Sequence, residues 1–368
     1  MFRIKQVIYA ILPRFSSEVG HVLQYHLSVE KATRSLGWRY IAFVPEKTEC
    51  DSLPQHWEHC LANDTSLKPK NIIQKLAILF ANISPLRKIF RRKEATIMFI
   101  EHFELLHLAS IALAFFPLTP SFCFWILHRY NIHSKKKALL CRIFHWYIER
   151  KIGAKNIRFL TDSELLAGEL KKIFNRSFSV IPIPHTENVT EKKEQKKTED
   201  FLFWWPGGQI REDKGLSVIL KFLKVVNNRI KLVVAESGRT ILGENKHILY
   251  IPAVLSRIEY TQWMQKADLV LLPYMAEEYA YRTSGIFVEA IVLGAMPVVT
   301  KKTWMSHELD RFGLSRLTFD WNEQDLLNTL CSFVNNPLLI NGLENMRNEY
   351  KQYHSEDGFA LKIKEFCT

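Results

Sequence analysis

The chain has 368 residues, 47% of them hydrophobic and 24% charged, and a formal net charge of +12. That is too long for one typical core and too apolar for a disordered or fibrous chain, so a soluble globular protein of two domains is expected. The charge is lopsided: residues 1–184 hold 27 Lys+Arg against 14 Asp+Glu, and residues 185–368 hold 23 against 24.

All the excess positive charge therefore lies in the first half, which points to an anionic partner there, either a membrane surface or an acidic lipid or polysaccharide. No recognition motif for nucleic acid accompanies it, so nucleic acid is not expected. Six cysteines (Cys50, Cys60, Cys123, Cys141, Cys331 and Cys367) show no CxxC and no metal-like spacing with histidine. They read as reduced thiols of a reducing compartment. The six apolar residues from Val7 to Leu12 are too few for a signal core, so the expected location is cytoplasmic, peripheral on the inner face of the membrane.

In chain order, the pattern predicts a strand over 4–12, a loop over 13–20 ending in Gly20, a helix over 21–36 stopped by Gly37, and a strand over 39–44. Residues 71–93 form a basic amphipathic segment, with Ile72, Ile73, Leu76, Leu79 and Phe80 followed by Arg87, Lys88, Arg91, Arg92 and Lys93. It reads either as a helix lying on an anionic bilayer or as an ordinary packed helix with a solvated basic face. A strand over 95–100 carries Glu101 or Glu104 at its carboxyl end. The apolar window 105–127 is long enough to cross a membrane, but Pro117, Thr119, Pro120 and Ser121 interrupt it, so helix, turn and buried strand is the expectation. That strand ends at His128. A strand over 156–161, a cap at Asp162-Ser163, a helix over 165–174 and a strand over 180–185 follow. Residues 186–200 are charged and lack aromatics, the composition of a linker.

The second half opens with a strand over 201–205, a turn at Pro206-Gly207-Gly208, and a helix from Leu216. Strands over 231–235 and 248–251, the loop 252–256 containing Val254, and a helix over 259–266 lead to the stretch that organises the chain. There, Leu269 to Leu272 is a buried strand stopped by Pro273, and 274–283 is a polar loop. Ser284 caps a helix that Gly294 stops, and Pro297 starts the next strand. The amides of Ser284, Gly285 and Ile286 at that helix's positive end suit a diphosphate, and Gly285 allows close approach. Glu289, one turn further in, is placed to accept hydrogen bonds from a ribose diol. The plain alternative is a capped helix with a surface glutamate. Helices over 326–333 and 338–350 and a final segment over 354–366 complete the chain.

The run from Glu289 to Val298 resembles the second half of the donor-site signature of GT-B glycosyltransferases of the family 4 type. That signature is a Glu, seven residues, a second Glu, then Ala, an apolar pair and Gly-x-Pro-Val. Tyr281 stands where the first Glu is expected, so either Glu277 or Glu278 takes its role, or Arg282-Thr283-Ser284-Gly285 is a variant of the pattern. Gly208, Ile210, Lys214 and Gly215 are similar to the family's Gly-Arg-apolar, three residues, Lys-Gly; Gln209 takes the Arg position and Arg211 is the substitute cation.

The resemblance implies an α/β chain of two Rossmann-like domains facing a cleft. An acceptor-binding domain would span 1–184, a linker 185–200 and a nucleotide-sugar domain 201–350, with a helix over 351–368 crossing back. It implies that Gly20 faces the cleft, that His128 faces the transferred sugar, and that the loop at Val254 holds the base. Arg211 and Lys214 would stabilise the leaving diphosphate, and Glu278 would be the catalytic carboxylate supplied by the 274–283 loop. The implied reaction is sugar transfer from a UDP- or GDP-sugar to a saccharide or lipid-linked acceptor, retaining, without metal or cofactor. A UDP-sugar epimerase, or a silent homologue serving as a binding or scaffold subunit, remain alternatives; Tyr281 and Gln209 favour the second.

Overall fold

The computed structural model of the chain describes residues 6–15, 22–48, 50, 53–62, 71–101, 103–118, 120–132, 134–184, 200–323 and 325–367. Gly20 and most of the expected linker lie outside these residues. The chain forms two compact units, Met1–His185 with Phe359–Thr368, and Thr186–Gly358.

The first unit runs β1 (Val7–Ile11), α1 (Val22–Ser35), β2 (Arg39–Pro45), β3 (Glu58–Leu61), α2 (Ile72–Ala81), α3 (Ile83–Phe90), β4 (Ile97–Ile100), α4 (Leu105–Ala114), β5 (Cys123–His128), α5 (Lys135–Ile152), β6 (Ile157–Thr161), α6 (Glu164–Phe174) and β7 (Ser179–Val180). Its sheet has the order β3-β2-β1-β4-β5-β6-β7, and every neighbouring pair is parallel. β1 and β4 are buried along their whole length, as strands covered on both faces must be. Right-handed crossovers put α1 on one face and α2 to α6 on the other. On the second face α4 packs against α2, α3 and α5.

The basic segment over 71–93 is two helices rather than one. Pro85 falls in the first turn of α3, where it is tolerated; in an unbroken helix its ring would meet the carbonyl of Ala81. Asn82 at the break is buried, and its Oδ1 accepts from the Ala62 amide at 2.8 Å. The halves then differ: α3 buries Leu86, Ile89 and Phe90, and α2 buries nothing. The window over 105–127 resolves into α4 and β5, and among the described residues no helix is long and apolar enough to cross a membrane. The strand expected over 180–185 stops at Val180, since Pro182 and Pro184 have no amide to donate. The sequence reading passed over α5 and the edge strand β3.

The second unit runs β8 (Phe201–Trp204), α7 (Leu216–Val225), β9 (Ile230–Ala235), α8 (Arg239–Leu242), β10 (Ile248–Ile251), α9 (Arg257–Lys266), β11 (Leu269–Leu272), α10 (Ala276–Tyr279), α11 (Gly285–Leu293), β12 (Pro297–Thr300), α12 (Trp304–Arg311), β13 (Thr318–Phe319), α13 (Leu326–Val334) and α14 (Pro337–Tyr353). Its parallel sheet has the order β10-β9-β8-β11-β12-β13. The last helix, α15 (Glu356–Cys367), returns to the first unit. There Phe359 meets Tyr25 at 6.2 Å between ring centroids, Phe366 meets Trp125 at 5.6 Å, and Arg158 Nη2 donates to the Phe366 carbonyl at 3.0 Å.

Candidate functional site

An open parallel sheet binds ligands beyond the carboxyl ends of its strands, at the point where strand order reverses. In the second unit that point lies between β8 and β11, paired at Leu269↔Phe203 and Val270↔Trp204. Two loops leave the sheet there, 205–215 from β8 and 273–284 from β11.

Close backbone approach fixes these loops. Gly215 has φ +86, and a Cβ on it would lie 2.0 Å from the Pro273 carbonyl oxygen, so no other residue fits. The Met275 amide donates to the Asp213 carbonyl at 3.0 Å. A Cβ on Gly208 would lie 2.4 Å from the Ala253 carbonyl oxygen, which seats this loop against 252–256, beside the exposed Val254. Ser237 Oγ donates to the Gly208 carbonyl at 2.7 Å. Trp205 Nε1 donates to the Lys214 carbonyl at 3.1 Å.

This scaffold brings two arginines to one carboxylate, with a lysine next to them. Arg211 Nη2 donates to Asp213 Oδ2 at 2.9 Å, and Arg282 Nη1 lies 3.8 Å from the same oxygen. Lys214 is close enough to feel all three: burial, helped by Arg211 and Arg282 and opposed by Asp213, pushes its ammonium down to about 8. The Arg282 guanidinium sits 4.8 Å over the Tyr279 ring. Net positive charge held partly out of water attracts anions, most strongly those with more than one negative charge. Beside it starts α11, whose N-cap Ser284 accepts from the Phe287 amide through Oγ at 3.3 Å. The first amides of α11, Gly285 and Ile286, have no partner within the helix.

Glu289 is no surface glutamate. It is 7% exposed, and its carboxylate accepts from Arg257 Nη1 at 2.7 Å and from Tyr260 OH at 2.8 Å. Burial pushes its carboxyl above the ordinary range, against the pull of Arg257 and Tyr260. The residue thus ties α11 to the start of α9, immediately after the Val254 loop. Glu277 and Glu278 are exposed on α10, and Tyr281 and Thr283 are half-buried.

In the first unit, His128 packs as a core residue. Its ring is 5% exposed and lies within 5.1 to 5.7 Å of Phe103, His145, Phe174 and Phe178, centroid to centroid. Burial pushes it down to about 3, so it is neutral at ordinary pH. This aromatic enclosure does not fit a ring turned toward a sugar. The carboxyl ends of β4, β5 and β6 instead carry a buried ionic network. Glu101 accepts from Arg129 Nε at 3.1 Å and Nη2 at 2.8 Å, and lies 2.9 Å from His26 Nε2. His26 Nδ1 lies 2.5 Å from Tyr40 OH, and Arg129 reaches Asp162 at 3.6 Å. Glu104 caps α4 in a reciprocal box with His107.

Asp213, Arg257 and Tyr260 escaped the sequence reading. Asp213 was visible as an acid between Arg211 and Lys214. Arg257 and Tyr260 follow Ser256 at spacings that announce only a helix start. Among the described residues no cluster of His, Cys, Asp and Glu suits a metal.

No protein-family model matches the sequence, and no curated protein matches it. Solved structures do. HepE (Alr3699) of Anabaena, in complex with UDP-glucose, superimposes with a TM-score of 0.69 over 98% of this chain and 99% of that one, at 13% identity. WaaG, a glycosyltransferase involved in lipopolysaccharide biosynthesis, gives 0.65 over 98% and 99% at 14% identity. A Listeria monocytogenes protein assigned as a UDP-N-acetylglucosamine 2-epimerase gives 0.60 over 99% and 96% at 12% identity. At such identities the likeness establishes architecture: the chain has the two-domain GT-B fold.

Proposed function

We propose that the chain is a nucleotide-sugar-dependent glycosyltransferase whose second unit binds the donor at the β8–β11 switch point. One observation carries this reading: Arg211 and Arg282 both reach the Asp213 carboxylate, with the buried Lys214 next to them in the same loop, beside the first amides of α11. In the reaction the bond between the sugar's anomeric carbon and the diphosphate breaks, its electron pair leaves on the diphosphate, and an acceptor hydroxyl oxygen takes its place. Negative charge on the leaving diphosphate grows toward the transition state, so fixed cations there lower the barrier more than they tighten ground-state binding. Lys214 supplies that charge directly, and Arg211 and Arg282, both paired with Asp213, share in it.

Glu289 accepts the ribose diol, while its hold on Arg257 and Tyr260 of α9 keeps the 252–256 loop in place against the base. HepE was solved with UDP-glucose, which supports a UDP-sugar over a GDP-sugar as donor. The acceptor is a saccharide or lipid-linked saccharide bound by the basic first unit, and the likeness to WaaG supports a place in building cell-surface glycans. Retention of anomeric configuration and independence from metal belong to the same proposal.

The test is release of nucleoside diphosphate from a panel of UDP- and GDP-sugars, with and without chelator. Slow turnover of at least one donor, unaffected by chelator and giving a product of retained configuration by NMR, is expected. No turnover of any donor, with or without candidate acceptors, would make the chain a silent scaffold. Conversion of UDP-N-acetylglucosamine to its 2-epimer would make it an epimerase.

A further inference from the structure

The outward face of the first unit's helix layer presents apolar surface that no described residue covers. On α2, Ile72, Ile73, Leu76 and Phe80 are 66%, 73%, 46% and 59% exposed. On α5, Leu139, Leu140, Ile143 and Trp146 are exposed, although the helix already buries a separate stripe of Ala138, Cys141, His145, Ile148 and Ile152. A helix apolar on two sides is ordinarily one enclosed on two sides. The two helices flank α4, whose exposed Leu113 and the following Phe116 continue the surface. Ser110 Oγ of α4 donates to the Leu79 carbonyl of α2 at 2.8 Å, and Lys151 of α5 lies 5.5 Å from the Phe116 ring centre.

The charge on this face says what covers it. α5 holds six cations, Lys135, Lys136, Lys137, Arg142, Arg150 and Lys151, against one acid, Glu149. Three of them fill its first turn, where the helix dipole disfavours positive charge. Local helix stability does not account for them. A second copy of the chain would set this basic face against itself in a two-fold contact, which like charge opposes. An anionic bilayer meets both demands: its headgroups take the lysines and arginines, and its acyl boundary takes the leucines, isoleucines and Trp146. We infer that α2, the end of α4 and α5 form one docking surface for an anionic lipid bilayer, on which the first unit rests without crossing it. This deepens the reading of the basic half as the partner-binding half and does not depend on the sugar chemistry. It keeps α2, the first half of the segment that the sequence put on the membrane, adds α5, and drops the arginine-rich end that follows α3. Arg92 grips Glu58 with two bonds of 2.6 Å and lies over the Phe43 ring, so it serves the fold.

The full-length chain is tested by flotation with vesicles of phosphatidylcholine alone, or of phosphatidylcholine and phosphatidylglycerol in equal parts. Binding to the anionic vesicles only, falling as salt rises, is expected. Leu139→Ser/Ile143→Ser/Trp146→Ser, at exposed positions, should weaken it by about tenfold or more, as should Ile72→Ser/Ile73→Ser/Leu76→Ser. Lys135→Glu/Lys136→Glu/Lys137→Glu should do the same with helix content intact or raised, because acids suit the first turn. Nucleoside diphosphate affinity should stay unchanged in all three, which separates this proposal from the donor-site reading. Equal binding by wild type and the apolar variants overturns the inference, as does the absence of any wild-type binding. Loss of a dimer in ultracentrifugation, without change in vesicle binding, would overturn it in favour of a second copy.

Discussion

Lys214 is the residue on which the proposed chemistry turns, and its environment makes a pH prediction. Burial and two neighbouring arginines lower its ammonium to about 8, so it is charged below that pH and neutral above. A diphosphate needs the charged form. Donor affinity and kcat/KM should therefore be highest below about pH 8 and fall as pH rises through it. Lys214→Arg should abolish that fall, since a guanidinium stays charged. Lys214→Ala should lower kcat by roughly 10²–10³, the scale of losing one preorganised electrostatic group, with a smaller change in donor KM. A pH profile that is flat through 8 in the wild type would show that Lys214 does not touch the donor. Glu289 carries the other expectation at this scale. Glu289→Gln keeps an acceptor for Arg257, so it should fold and yet weaken nucleotide binding by about 1.5–3 kcal/mol, the worth of a hydrogen bond to a charged group. Loss of melting temperature with unchanged nucleotide affinity would leave Glu289 as a tie between α11 and α9 and nothing more.

At the scale of elements, two buried clusters in the first unit hold helices to the sheet by different means. The Glu101–Arg129–His26 network joins the carboxyl ends of β4 and β5 to α1, and removing one member strands the others in the interior. Glu101→Ala should cost about 3–5 kcal/mol of stability, read by denaturant unfolding, while leaving nucleotide affinity of the folded chain alone. His128 belongs to the second cluster, with His145 and Phe174, between β5 and the helices α5 and α6. Its folded pKa of about 3 lies below the ordinary value, so the unfolded chain takes up the proton first as pH falls. Its contribution is whole above about pH 6.5 and is lost progressively toward pH 3. His128→Phe should therefore flatten the loss of stability between pH 7 and 5 by up to about 2 kcal/mol and keep turnover within a few-fold. A collapse of kcat in a folded His128→Phe would return the residue to the active site.

The same elements show what the sequence could disclose. β11, α11 and β12 were legible to the residue because Pro273, Ser284, Gly294 and Pro297 punctuate them, and local chemistry sets each boundary. The break at Asn82 was legible in principle from Pro85. What stayed hidden depends on the third dimension. Nothing in the run from Lys135 to Ile152 says that its second apolar stripe is uncovered, and nothing near Glu289 says that Arg257, 32 residues earlier, holds it. His128 sits at a strand end, as expected, but which way its ring turns was decided by Phe103, Phe174 and Phe178, far away in sequence.

For the whole molecule, the account divides the work. The second unit is nearly neutral overall and sets Arg211, Lys214 and Arg282 together at its switch point. The first is strongly basic and shows an apolar face that no described residue covers. α15 leaves the second unit and ends among Tyr25, Trp125 and Arg158 of the first, so the chain closes on the domain where it began. The central claim is that the second unit recognises a nucleoside diphosphate through its phosphates. Titration calorimetry of UDP, UMP and uridine, against wild type and against the folded Lys214→Ala and Arg282→Ala chains, tests it most directly. UDP should bind about tenfold or more tightly than UMP, uridine should bind weakest, and each substitution should remove most of the advantage of the second phosphate while leaving uridine unaffected. If UDP and uridine bind alike, or if both variants keep the full preference for UDP, the cation cluster is a structural feature of the fold and the donor-site account is wrong.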